Sequence, residues 1–245
     1  MTHASFRTSS GRRPGARRAS APAAARRGEQ ARRQLLAAAT DLFGEYGLQG
    51  ATTRDIAQRA GQNIAAITYY FSSKEGLYLA VAQSLADFIQ QAFAPLAEEV
   101  DRFWQQPVAL RSPDAALRLL QRGLLAFSEL MTQPHTLNLS KIMSREQLAP
   151  TDAYPLIHSQ VIAPMHERLC RLLAAATGID ERAPRLVLHT HALIGEVLSF
   201  RVARETIRRQ AGWQEIGEGE AAQVAAVLSE HIEILVVGLR QRHGA

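Results

Sequence analysis

From Glu29 to Tyr46 the apolar positions Leu42, Phe43 and Tyr46 follow Leu35 at intervals of seven, eight and eleven, with Ala38 and Ala39 between them. That spacing keeps them on one face of a helix. Gly47 predicts the end of this helix, with Leu48 as the usual hydrophobic partner of such a stop. Thr52 or Thr53 then caps a second helix, whose Ile56, Ala57 and Ala60 face inward until Gly61 breaks it. A third helix is expected from about Asn63 to Phe71. Ser72 with Glu75 three residues on has the form of a capping box, which puts Lys74 in the first turn of a fourth helix. Three compact helices thus feed a long one.

The pattern continues toward the C-terminus. Ser112, Pro113 and Asp114 suit the cap and first two positions of a helix that runs to about Met131. Another spans about Pro155 to Thr177 and contains Pro164, which lacks an N–H and predicts a kink. Below His158 on this helix lies an apolar face of Ile162, Met165 and Leu169, beside which a cavity is expected. The last two helices, about Ala183 to Arg208 and Glu218 to Arg240, are apolar on more than one face and need burial on several sides. Leu228 and Leu235 are expected in a seam there, with Gly195 and Gly238 easing close approach. The fold class is all-α: a three-helix N-terminal unit over residues 29–75, then a larger helical body over residues 76–245.

Composition narrows the picture. The 245 residues are 47% hydrophobic and 21% charged, which suits a globular protein, and no uninterrupted apolar run approaches the roughly 18 residues of a membrane span. The single cysteine, Cys170, excludes an internal disulfide and fits a reducing cytoplasm. The net charge of +5 is unevenly placed. Residues 1–28 hold seven arginines and no acid, leaving −2 for everything after them. Filled out with Ser, Ala, Gly and Pro, this segment reads as a disordered tail. It is either an arm that tracks phosphates or enters a minor groove, a solvated leader, or a mitochondrial transit peptide.

The third helix carries the chemistry. Ile67 and Phe71, four apart, define its buried side, which leaves Ala65, Thr68 and Tyr69 outward and Ile64, Ala66 and Tyr70 on the flanks. An outer face that is small, hydroxylic and aromatic, with no charge, suits the major groove of DNA. There alanine allows close approach, and methyl and hydroxyl groups meet base edges. Phosphate anchoring would fall to Thr53 and Arg54 at one helix N-terminus and to Lys74 at the next. The unit is a helix-turn-helix, and two such units on a two-fold axis would read half-sites about 34 Å or more apart.

At TTRDIAQRAG, ITYYF and SKEGL the chain resembles the DNA-binding domain of TetR-family transcriptional regulators over roughly Gln30 to Leu77. That resemblance implies DNA contacts at Thr53, Arg54, Ile64, Ala65, Ala66, Thr68, Tyr70 and Lys74. It places Tyr69 inward, whereas the helical wheel places it outward. Thr68 stands where the family commonly has tyrosine and Tyr70 where it commonly has histidine, so no operator sequence follows. SREQLAPTDAYPLIHSQVIAPM and LHTHALIGEVLSFRVARETI are similar to the CecR-type branch of the family. This implies a homodimeric repressor that binds a palindromic operator and is released by a small molecule, with the last two helices packed against their symmetry mates.

Candidates for holding that molecule are Arg145, His158, His189 and Glu196. Arg145 either neutralises an anion or solvates a helix end, and His158 either heads the apolar face or is a satisfied core residue. Glu196, one helical face from His189, either meets the ligand or pairs with a neighbouring helix, since a buried carboxylate is costly alone. No HExxH, CxxC, GxGxxG or Walker sequence is present, and His189 and His191 point about 200° apart on a helix. Neither an enzyme nor a metal or cofactor site is expected. A DNA-bound scaffold that recruits a protein partner is the rival reading; it would have the pocket of the C-terminal half filled.

Overall fold

The structure, a computed structural model, describes residues 21–243. Among these there is no strand, so the all-α expectation holds. The expected tail falls outside the described residues as far as position 20, and its last eight residues are helical, because α1 runs over Ala21–Gly50 and starts earlier than expected. Its regular path is broken at Gly47, where φ is 74°. Helix α2 (Thr53–Arg59) is capped by Thr52, whose hydroxyl oxygen accepts the Asp55 N–H at 3.1 Å. Gly61, at φ 63°, supplies the left-handed turn that a side chain would resist. Helix α3 (Ala65–Phe71) follows, with Asn63 Oδ1 accepting the Ala65 N–H at 2.9 Å.

The capping serine of α4 (Lys74–Gln105) is Ser73, not Ser72. Ser72 itself takes φ 68° to turn the chain. Ser73 accepts the Gly76 N–H at 3.0 Å, and the Glu75 carboxyl is held below its ordinary pKa by its own backbone N–H and then by the Ser73 hydroxyl. The capping-box chemistry therefore survives with its register moved by one residue.

The body comprises α5 (Pro113–Thr132), α6 (Leu137–Leu148), α7 (Tyr154–Ile157), α8 (Ala163–Thr177), α9 (Pro184–Val202), α10 (Arg204–Gln210) and α11 (Glu218–His243). Ser112 caps α5 as expected, accepting the Ala115 N–H at 3.1 Å. Between α7 and α8, residues His158–Ile162 form a π turn, in which the Ala163 N–H reaches back to the His158 carbonyl. The irregularity expected at Pro164 thus appears just before it, as one extra residue in the turn. The helix expected over Ala183–Arg208 is two helices, α9 and α10, bent by 73° at Ala203.

Two apolar cores result. One gathers Leu35, Phe43, Ile56, Ile67 and Leu77, and takes Ile142 from α6, Ile157 from α7 and Ala153 just before α7. The other is built on α5, α8, α9 and α11 around Leu120, Leu173, Leu186 and Val236. Each fully buried Leu, Ile or Phe stabilises by about 1.5–3 kcal/mol relative to an exposed one. Helix α6 is therefore part of the N-terminal core as well as of the body. Its close crossing with α1 requires Gly44, where a Cβ would sit 2.5 Å from that of Asn138.

Candidate nucleic-acid interface and ligand cavity

Helix α3 presents the face its spacing predicts. Ile67 and Phe71 are buried, while Ile64, Ala65, Thr68 and Tyr69 are exposed and Ala66 lies between. Tyr69 is 81% exposed, so the wheel and not the family pattern describes it. Its ring meets that of Tyr70 edge-on, 4.8 Å between centroids. Tyr70 leaves the outer face: it is half-buried, and its hydroxyl lies so near α1 that a Cβ on Gly28 would be 3.2 Å from it.

Thr53 is half-buried and Arg54 exposed at the start of α2. Lys74 is half-buried, and its Nζ donates to the Ala51 carbonyl at 3.4 Å, so it ties α4 to the α1–α2 link. On α1, Arg32 lies over the Phe71 ring at 5.3 Å, and Arg26 and Arg27 are exposed beyond it. Cations thus flank an uncharged reading face, which suits phosphates on either side of a groove.

Behind this head, α4, α5, the π turn and α8 line a half-open cavity of about 610 Å³. Ile89, Phe93 and Ala97, at four-residue spacing on α4, form one wall, with Phe127 of α5 and Met165 and Leu169 of α8 opposite. Of the apolar face expected below His158, Met165 and Leu169 line this cavity, whereas Ile162 packs against the N-terminal core instead. None of the four residues singled out for a ligand lines it. The π turn is the reason for His158: one extra residue rotates everything before it by about 100°, and His158 is exposed, its ring 5.7 Å from Tyr154.

The other three are placed elsewhere too. Arg145 donates to the carbonyls of Phe43 (3.1 Å), Gly44 (2.6 Å) and Glu45 (2.9 Å), where it satisfies the last turn of α1 before Gly47. Glu196 binds the ring Nδ1 of His231 on α11, so its neighbouring-helix pairing is the one found. His189 is half-buried outside the cavity. Arg168 lines the cavity instead. It falls on the same face as Met165, Leu169 and Leu172, a spacing that was visible in the sequence once the helix was placed.

A compact helical head with an exposed, uncharged second helix, carried on a larger helical body, defines a DNA-binding helix-turn-helix regulator rather than an enzyme. Residues 35–81 match the family of bacterial regulatory proteins named for TetR, and residues 113–239 match the C-terminal domain of the HTH-type transcriptional dual regulator CecR. The chain belongs to the CecR-type branch of the TetR family. The dual regulator CecR of Shigella flexneri is 53% identical over 223 residues, covering 90% of this chain and 98% of that protein. The regulator RutR of Escherichia coli K12 is 26% identical over 187 residues, 73% of this chain and 87% of its own.

Solved structures agree on the fold. A TetR-like regulator from Rhodococcus superposes with a TM-score of 0.60 at 21% identity, covering 85% of this chain and 96% of its own. AibR, solved in complex with isovaleryl coenzyme A and operator DNA, gives 0.58 at 16% identity, covering 81% and 96%.

Proposed function

We propose that this protein is a cytoplasmic homodimer that represses transcription from palindromic operators and is released from them by a small molecule bound in the cavity between α4, α5 and α8. The observation that carries this reading is the position of that cavity. Its wall is the far half of α4, the helix whose first turn closes the reading head, so a ligand that displaces α4 also moves α3. The unfilled cavity favours a small-molecule effector over the scaffold reading. AibR, of the same fold, was solved with both a thioester ligand and DNA, which supports the pairing of the two sites in one chain.

DNA contacts are assigned to Ile64, Ala65, Ala66, Thr68 and Tyr69 as the reading set. Thr53 and Arg54 anchor phosphates, with Arg26 and Arg27 extending the basic flank. Tyr70 and Lys74 act chiefly by holding α3 and α4 in place. Dimerisation is assigned to α9 and α11. Helix α11 is long and apolar enough to cross a membrane by composition, and only 28% of its most apolar window is buried in the protomer. Yet Val224, Leu228, Ile232 and Val236 pack one face of it into the core, so a second copy of the chain, not lipid, suits the other face. The name of the Shigella relative, a dual regulator, supports action in both directions at different promoters.

The test is selection of bound sites from random DNA, followed by sedimentation with and without the selected duplex. The reading requires an inverted repeat and a dimer of the chain. A single non-repeated site bound by monomer would refute it. Ala97→Trp, which fills the cavity wall, is expected either to abolish release or to mimic the effector; normal DNA binding with normal release would place the effector elsewhere.

A further inference from the structure

Which molecule the cavity suits is decided by its polar groups. Most of its surface is aliphatic and aromatic, and its volume of about 610 Å³ lies within the roughly 300–1,000 Å³ of small-molecule pockets. Three of its polar side chains already have protein partners. Gln160 is paired with Gln83, Gln90 donates to the Gln160 carbonyl at 3.0 Å, and the Ser159 hydroxyl donates to the Leu156 carbonyl at 3.2 Å.

Arg168 differs. It lines the cavity from α8, half-buried between Met165 and Leu169, with no acidic side chain at ion-pair distance among the described residues. Three residues on, Arg171 pairs with Glu181 at 3.5 Å and stacks on Trp104 at 4.4 Å. The acids that reach the cavity, Glu98 and Asp101 of α4, are exposed at its rim, where water and salt screen them. A half-buried guanidinium against low-dielectric walls keeps more of its field, and its fork matches a carboxylate in a bidentate pair.

We infer that the effector is an amphipathic monocarboxylate, its apolar body lying along the α4–α5–α8 walls and its carboxylate held by Arg168. This rests on the assignment of that cavity as the effector site and adds the class of molecule. A lipophilic cation, drawn to Glu98 and Asp101, is the opposite reading.

Titration calorimetry of the full chain with decanoate, 1-decanol and decylammonium, each below its aggregation concentration, separates the two. The expected order is decanoate tightest, by about tenfold or more over decanol, the scale of one charge-assisted pair. Arg168→Gln should remove that preference while leaving decanol within about threefold, and Arg168→Lys should retain part of it. Decylammonium binding tightest, decanoate no better than decanol, no binding by any of the three, or a preference that persists in Arg168→Gln would each overturn the inference. Operator release is followed separately by fluorescence anisotropy. Carboxylate-selective binding without release would sink the gating role and leave the ligand class standing, whereas release by all three probes alike would sink the ligand class alone.

Discussion

Gln83 and Gln160 exchange two amide hydrogen bonds, 2.8 Å from Gln83 Nε2 to Gln160 Oε1 and 3.1 Å in the return direction. With Gln90 also bonded to the Gln160 carbonyl, the π turn is fixed to α4 at two points two helical turns apart. The turn forms part of the cavity wall, and α4 leads to the reading head. A ligand that pressed on Ser159–Val161 would act on α4 through this amide pair. π turns are insertions that shift a helix by one residue, and are frequent where a helix has work beyond packing.

Breaking the pair tests that route. Gln160→Leu removes two hydrogen bonds worth about 0.5–1.5 kcal/mol each from the cavity side. Operator affinity without effector should stay within about threefold, while the effector concentration for half-release should rise roughly tenfold, a coupling loss of about 1.4 kcal/mol. Anisotropy titrations at fixed salt, with the compound that releases wild type, measure both. An unaltered response would show that α4 is moved from another wall.

The reading head separates into two behaviours. Arg54→Ala should weaken binding about equally on every sequence and lower the salt slope by roughly one, whereas Thr68→Val and Tyr69→Ala should change the preference among operators. Lys74→Met should lower the melting temperature as well as affinity, because Lys74 bridges α4 to the Ala51 carbonyl. A melting temperature equal to wild type, with the salt slope reduced, would return Lys74 to the anchoring set.

How far the sequence announces this depends on whether the cause is local. Thr52, Gly61, Ser112 and Gly47 act within one turn of themselves, and their caps and stops are legible from residue type and spacing. The choice between Ser72 and Ser73 was not, since both can cap and only the chain's path after α3 sends Ser72 to positive φ. For Arg145 the helix-end reading is the one found, but which helix end is not legible: its three carbonyl partners lie about a hundred residues earlier on α1, and nothing in SREQL points there. His158 was misplaced by the π turn, a one-residue insertion that apolar periodicity does not record. The break between α9 and α10 at Ala203 has no proline or glycine to mark it, and the structure offers no local cause.

Of the two leucines expected in a dimer seam, Leu235 is half-buried and Leu228 is taken up by the protomer's own core. Leu228 is 1% exposed, packed inside its own protomer, so Leu228→Glu should unfold the chain rather than split a dimer. Leu188 and Ile234, 69% and 62% exposed, are the residues that a second copy would cover. Ile234→Glu or Leu188→Glu should leave helical content intact and cost the dimer several kcal/mol, on the order of 3 or more, because a charge would be buried without a partner. Sedimentation should then show folded monomer and anisotropy should show lost operator binding. A stable dimer from both variants would move the seam off α9 and α11.

His166 predicts a pH dependence whose sign can be worked out. Its ring lies on α8, with Cys170 Sγ 3.6 Å from Nδ1 on the same helix and His191 of α9 6.1 Å away between ring centroids. Burial, and then the His191 charge, hold its pKa below the ordinary 6.5. The unfolded chain therefore binds a proton at this site more readily than the folded one between the depressed value and 6.5, and stability must rise with pH across that window. The contribution is fully present above 6.5 and declines as the solution is acidified, until the folded ring protonates as well. Wild type should lose more melting temperature between about pH 7.5 and 5.5 than His166→Gln, which has no proton to take up there. Because Cys170 also contacts Thr190 on α9 at 3.2 Å, the α8–α9 packing should persist in the variant and the two proteins should converge at high pH. Parallel losses over the whole range would assign the titration to another histidine.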